Sequence, residues 1–203
     1  MANATIKPVT VRSKRMTIMY IHGYGSNGNA TKGQLLRSML PQHRVVSPTF
    51  DYDHCTPWQI KTQIRETIEK EDVRMIVGSS FGGYHALCAT AYFHGVVWVV
   101  NPARDVVATI GRVILANGSA SQEATEYLNA YKEFDSKVFR RQVQLNQSGL
   151  WPKDTPLNFA LSTDDELLGD HRPLLDLFPC HDRVVWKDDC GHRFLRFEEL
   201  NLL

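Results

Sequence analysis

The pentapeptide Gly78-Ser79-Ser80-Phe81-Gly82 puts a serine between two glycines, each two residues away. An apolar run, Val73 to Val77, leads into it, and an Ala-rich helical run opens at Gly83. Strand, tight turn and helix with a serine at the turn is the G-x-S-x-G nucleophile elbow. The spacing has a steric cause. A serine held in a strained conformation leaves no room for side chains two residues before and after it, and glycine has no Cβ to collide. Ser80 is therefore the candidate nucleophile. A serine hydroxyl is a poor nucleophile at neutral pH, so it needs a base, and the base needs a carboxylate to hold its tautomer. In this strand–turn–helix arrangement the chain order is Ser, acid, His. Past Ser80 the histidines are His85, His94, His171, His181 and His192. His192 follows the last predicted strand in Asp188-Asp189-Cys190-Gly191-His192, at the sheet edge where the elbow lies, and Gly191 lets that loop come close. His85 falls within the helix after the elbow, and His181 precedes a strand and so belongs to the opposite edge. The acid is expected after the preceding strand, in Ser162-Thr163-Asp164-Asp165-Glu166. Asp165 is the first choice and Asp164 the second, the other being left to cap the turn. An oxyanion hole needs two N–H donors, expected from Phe81, directly after the nucleophile, and from Tyr24 in His22-Gly23-Tyr24-Gly25-Ser26-Asn27-Gly28.

Placing these residues at one rim requires an alternating architecture. Thr17–Ile21, Val45 running toward Phe50, Val73–Val77, Val96–Val100, Leu157–Leu161 and Arg183–Lys187 read as strands. Between them lie helices over Lys32–Leu40, from a Thr56 cap with Pro57 and Gln59 to about Lys70, Gly83–Phe93 and Arg172–Phe178, with a closing helix over Phe194–Leu202. Val96–Val100 is apolar throughout, as a strand covered on both faces would be. The pattern predicts an α/β-hydrolase fold: a mostly parallel central sheet of about six or seven strands with helices on both faces. Residues 103–151 contain no strand but two helical patterns, one through Val106, Val107, Ile110, Val113 and Ile114 and ended by Gly118, the other through Tyr127, Leu128, Tyr131 and Phe134 and capped by Ser121. An insertion after a strand falls on the C-terminal edge of the sheet, so a helical cap, or lid, over Ser80 is expected. Residues 1–203 read as a single domain, of which 1–15 form a polar lead-in.

Composition narrows the class. The formal net charge of +1 supplies no bulk attraction to nucleic acid or to a membrane surface. Residues 1–15 are not followed by an apolar signal-peptide core, and no stretch is long enough to span a bilayer. Four cysteines, Cys55, Cys88, Cys180 and Cys190, form no C-x-x-C pair and read as reduced thiols of a cytoplasmic protein. No four-ligand metal spacing is present, so no metal is expected. The competing reading is a nucleotide-binding oxidoreductase. Gly23-x-Gly25-x-x-Gly28 matches a dinucleotide fingerprint, with Asp51 or Asp53 downstream to hold a ribose. It leaves the elbow, the Asp164-Asp165 turn and Gly191-His192 without a role. A catalytically silent binding protein on the same fold is the other alternative. Arg104, after Asn101-Pro102-Ala103, falls near the site, and Arg140-Arg141 or Arg193 with Arg196 would suit an anionic substrate or a solvated helix face.

Several segments together carry a family resemblance: Tyr20-Ile-His-Gly-Tyr24-Gly-Ser, Val77-Gly-Ser-Ser80-Phe-Gly-Gly-Tyr84, Val99-Val-Asn-Pro-Ala103, Asp165-Glu166 followed by two leucines, and Gly191-His192 followed by Phe194. On these the chain resembles small bacterial α/β-hydrolases of the YqiA-like esterase group, over residues 16–198. The resemblance implies a serine hydrolase acting without a cofactor on small-molecule carboxylic esters or thioesters of small to medium acyl groups. The chain departs from the group in having Asp164 where a glycine is typical, and in its basic lead-in.

Overall fold

The computed structural model describes residues 15–116 and 121–203. The first fourteen residues of the lead-in and Gly118, expected to end a helix, lie outside them. Six strands form one sheet: β1 (Thr17–Ile21), β2 (Arg44–Val46), β3 (Val73–Ser79), β4 (Val96–Val100), β5 (Leu157–Ser162) and β6 (Arg183–Lys187), in the order β2-β1-β3-β4-β5-β6. Every pairing is parallel. The chain leaves β1 in one direction to build β2 and returns in the other to build β3. The neighbours β1 and β3 therefore form a topological switch point, whose C-terminal ends open a crevice.

Alternation along the strands sorts side chains to two layers. Met19, Ile21, Ile76, Val97, Val99 and Phe159 join one core with the helices α2 (Pro57–Glu71) and α3 (Phe81–Ala89). Ile18, Tyr20, Met75, Val77, Trp98 and Val100 join the other, with Leu36 and Leu40 of α1 (Thr31–Met39) and its end, and with Phe194, Phe197 and Leu200. α2 starts where its capping box predicts: Thr56 Oγ1 accepts from the Gln59 N–H at 3.3 Å, and Gln59 Oε1 accepts from the Thr56 N–H at 2.7 Å. Its buried stripe is Ile60 and Ile64.

Three local expectations are corrected. β2 stops at Val46 instead of running toward Phe50; Pro48 has no N–H to extend a ladder. The closing helix expected over Phe194–Leu202 is a single 3-10 turn, Phe197–Glu199. Phe194 and Asn201 have φ of 39° and 45°, which no α-helix allows, yet Phe194, Phe197 and Leu200 remain buried at their three-residue spacing. The insertion also holds more helix than its two patterns indicate. α4 (Val106–Ala116) is followed by α5 (Gln122–Phe134), which passes through a π-helical turn, Asp135–Phe139, into α6 (Arg140–Gln147). Ser121 caps α5 as expected, accepting from the Ala124 N–H at 3.1 Å. Tyr131, Phe134 and Phe139 are buried core against α2 and α3: Phe134 meets Trp58 edge-on at 4.9 Å and Phe139 stacks on Tyr84 at 4.9 Å. α7 (Arg172–Leu177) buries Leu174 before β6.

Candidate active site

Ser80 lies between the end of β3 and the first residue of α3 with φ 56° and ψ −121°, a strained conformation for a residue with a Cβ. Hydrogen bonds at both ends hold it there. Its N–H donates to Val100 O at 2.9 Å, and its carbonyl accepts from Gly83, Tyr84 and Ala103 N–H groups at 2.9, 3.2 and 3.0 Å. The flanking glycines are a steric necessity. A Cβ on Gly78 would stand 2.4 Å from Gly82 O, and one on Gly82 would stand 2.2 Å from Ile21 O.

His192 is carried on the loop after β6. Its Nε2 is 2.9 Å from Ser80 Oγ, and its Nδ1 is 2.9 Å and 3.1 Å from the two carboxylate oxygens of Asp165. Asp165, the first choice for the acid, thus stands in line with His192 and Ser80, and Asp164, the second choice, does not. Asp164 Oδ1 accepts from the backbone N–H of Gly191 at 3.0 Å and of Cys190 at 3.3 Å. Glu166 Oε2 accepts from the His192 N–H at 2.7 Å, and a Cβ on Gly191 would meet that oxygen at 2.9 Å. The acidic turn therefore clamps the histidine loop through three consecutive side chains.

Burial pushes the Asp165 carboxyl up, but hydrogen bonds from His171, His192 and the Leu168 N–H outweigh it and hold the group well below the usual carboxylate range. Asp165 is consequently ionised at neutral pH and acts only as an acceptor. Nδ1 of His192 then carries the proton, leaving the Nε2 lone pair for the hydroxyl of Ser80.

The loop after β1 backs directly onto the elbow. A Cβ on Gly23 would lie 3.2 Å from Ser80 Cβ, and the Tyr24 ring meets Phe81 edge-on at 5.8 Å. Phe81 opens α3, so its N–H has no partner within the helix. His22 is buried; its Nδ1 donates to Gly23 O at 2.8 Å and its Nε2 accepts from the Phe50 N–H at 2.9 Å. Desolvation lowers its pKa, in keeping with a neutral ring. The hydroxyl of Tyr24 donates to Asp53, whose hydrogen bond pushes the phenol up to about 12.

The same geometry removes support for the nucleotide reading. Gly23 faces Ser80, and a Cβ on Gly28 would stand 2.0 Å from Ser47 O, so both glycines are accounted for by close backbone packing. Asp53 is engaged by Tyr24 and Asp51 by His54. Among the other histidines, His85 lies buried beneath the elbow with its pKa lowered to about 3 by desolvation, His94 pairs with Asp154 at 3.3 Å, and His181 Nδ1 donates to Phe178 O at 2.7 Å. Among the described residues no group of three or more His, Cys, Asp or Glu side chains is arranged to hold a metal ion, and no helix is long and apolar enough to cross a membrane.

Three residues at the site had no role in the sequence reading. Asn101, with φ 41°, ties the ends of β4 and β5 to the histidine loop: its Nδ2 donates to Gly191 O at 2.9 Å and its Oδ1 accepts from the Ser162 N–H at 2.8 Å. Its signal was the Asn-Pro-Ala turn after β4. His171, six residues past Asp165, donates from Nε2 to Asp165 Oδ2 at 2.9 Å. Lys32 of α1 is half-buried and donates to Ser79 Oγ at 2.5 Å. Arg104 donates to Asp170 O at 2.8 Å, just before His171, and borders a cavity of about 840 Å³ among α4, the π-helical turn, α6 and α7. Ser80, His192 and Asp165 do not line that cavity. Of the cationic pairs, Arg140 bonds Asp135 at 3.0 Å and Arg196 bonds Glu199 at 2.8 Å.

Solved structures share this architecture at low sequence identity. Alpha/beta hydrolase domain-containing protein 10 from mouse superposes with a TM-score of 0.67 at 17% identity, over 95% of this chain and 88% of that one. Est1E from Butyrivibrio proteoclasticus gives 0.68 at 13% identity, over 96% and 88%. An extracellular alpha/beta-hydrolase from a Paenibacillus species gives 0.60 at 13% identity, over 91% and 94%. At these identities the likeness is one of fold. The profile of the uncharacterised protein family UPF0227 matches residues 17–201, and the chain therefore belongs to that family, the YqiA-like group to which its motifs pointed, and carries the α/β-hydrolase fold.

Proposed function

We propose that this protein is a serine hydrolase that cleaves carboxylic esters or thioesters of small to medium acyl groups through Ser80, His192 and Asp165. The observation that carries the reading is the unbroken hydrogen-bond line from Ser80 Oγ through both ring nitrogens of His192 to Asp165, each step 2.9 Å. His192 Nε2 takes the hydroxyl proton as Ser80 Oγ attacks the acyl carbon. Asp165 stays ionised and stabilises the imidazolium. The N–H groups of Phe81 and Tyr24 receive the oxyanion; one such donor contributes about 3–4 kcal/mol to transition-state stabilisation. His192 then gives its proton to the departing alcohol or thiol, and water, activated by the same ring, releases the acid from Ser80. Residues 103–151 act in this reading as the cap that shapes the acyl side, since α4 leaves the sheet directly beyond β4.

A fluorophosphonate probe tests the assignment. Wild-type protein is expected to label at Ser80 and to hydrolyse short 4-nitrophenyl esters, and the Ser80→Ala variant to do neither. Equal labelling of both proteins, or of neither, would overturn it.

A further inference from the structure

We propose that His171 is a positioning residue for this reaction: its Nε2–H grips the second oxygen of Asp165 and fixes the carboxylate in the plane that His192 needs. The proposal rests on the triad reading above and concerns a residue outside the triad.

Asp165 has no exposed side-chain surface, so its carboxylate depends wholly on protein donors. Oδ1 accepts from the Leu167 and Leu168 N–H groups at 3.0 and 2.8 Å. These two donors hold one oxygen only, and the terminal torsion of an aspartate is broad, so without a further donor the other oxygen is held only by the His192 ring, which itself gains and loses a proton during the reaction. His171 Nε2 supplies the missing donor at 2.9 Å on Oδ2, the oxygen that also lies 2.9 Å from His192 Nδ1. Against the opposing effect of burial, hydrogen bonds from His171 and from His192 both lower the Asp165 pKa.

The donor is itself held firmly. The His171 side chain is 1% exposed, and a buried N–H without an acceptor costs about 1–3 kcal/mol, so the ring stays on the carboxylate. Its carbonyl accepts from the Leu174 N–H at 3.0 Å, which ties it to the buried residue in the first turn of α7. The preceding residue, Asp170, is pinned through its carbonyl by Arg104. The chemical consequence is twofold. Asp165 keeps its orientation while His192 exchanges protons with Ser80, and part of the carboxylate's basicity is withdrawn, so the proton taken from Ser80 stays on the imidazole.

The test compares wild type with His171→Gln, which keeps a donor near the Nε2 position, and His171→Phe, which keeps a ring and removes the donor. Proton NMR of protein labelled with ¹⁵N-histidine is expected to show two strongly deshielded ring N–H signals, one on Nδ1 of His192 and one on Nε2 of His171, with only the second missing in His171→Gln. His171→Phe is expected to label with fluorophosphonate at least about tenfold more slowly and to lose kcat with KM unchanged, the size typical when the partner orienting a functional side chain is removed. His171→Gln should recover most of that loss. A His171 ring protonated on Nδ1 and not on Nε2 would overturn the proposal. So would wild-type labelling by His171→Phe, or a His171→Gln variant as slow as it. If His171→Phe does not fold, the wild-type spectrum and His171→Gln decide. Absence of labelling in the wild type would reject the Ser80 reading, and the two N–H signals would still test the contact between His171 and Asp165.

Discussion

At position 80 a residue with a Cβ is held at positive φ, which costs about 1–3 kcal/mol unless the surroundings compensate. Four backbone hydrogen bonds to its own N–H and carbonyl supply that compensation. The two aspartates at 164 and 165 divide their work in a way that a paired substitution reads directly. Asp165→Asn retains the shape but loses the charge and acceptor pattern that set the His192 tautomer, so turnover is expected to fall about 10⁴-fold. Asp164→Asn retains an oxygen to accept from the Gly191 N–H and should leave turnover near wild type. Steady-state kinetics on one ester substrate check both, and a collapse confined to Asp164→Asn would reverse the assignment.

Among the elements, the junction of β3 and α3 carries the tightest steric demand. Gly82 packs its Cα against the carbonyls of Ile21 and His22 at the exit of β1, where an added Cβ would lie 2.2 and 2.4 Å away. Backbone oxygens at a sheet edge cannot swing aside as a side chain would. Gly82→Ala is therefore expected to destabilise the fold by about 3 kcal/mol, the upper range for overpacking, as read by urea denaturation. A change within about 0.5 kcal/mol, the range of neutral surface substitutions, would show that the glycine spacing has no steric cause. Elements can also carry helix without carrying motif. α5 and α6 are joined through a π-helical turn, and π-helical turns concentrate at functional sites; this one borders the cavity that Arg104 reaches.

For the molecule as a whole, the decisive arrangement is the switch point between β1 and β3. It brings the loop after β1, the elbow, the Asn101 turn, the acidic turn and the histidine loop to one rim of the parallel sheet. Lys32 is the least expected occupant of that rim, an ammonium in the first turn of α1, where the helix dipole disfavours a cation. Burial pulls it down to about 8, with Asp165 drawing it back up and Arg193 lowering it further. Between about pH 8 and the ordinary lysine value of about 10.4 the unfolded chain binds more protons than the folded one, so this group makes stability rise with pH across that window. Urea midpoints of the wild type should climb there relative to those of Lys32→Gln. Parallel curves for the two proteins would mean that the ammonium is solvated.

The local sequence determined the six strands, the elbow, the capped start of α2 and the candidates Ser80 and His192, because hydrophobic period, turn glycines and cap residues act over a few neighbours. It also narrowed the acid to two adjacent residues, with Asp165 ranked ahead of Asp164, and could not separate them on local grounds, since a one-residue step along a turn redirects a side chain without altering any local pattern. Tertiary structure alone decided that Asp165 faces His192 while Asp164 faces a backbone, that His171 shares the same carboxylate, and that Asn101 bonds a residue ninety positions further on. It likewise turned the apolar spacing of Phe194, Phe197 and Leu200 into a buried irregular segment in place of a helix. Hydrogen-bond partners across a rim are set by how the sheet brings loops together, and nothing in the spacing of residues within one loop records which atoms of another loop it will meet.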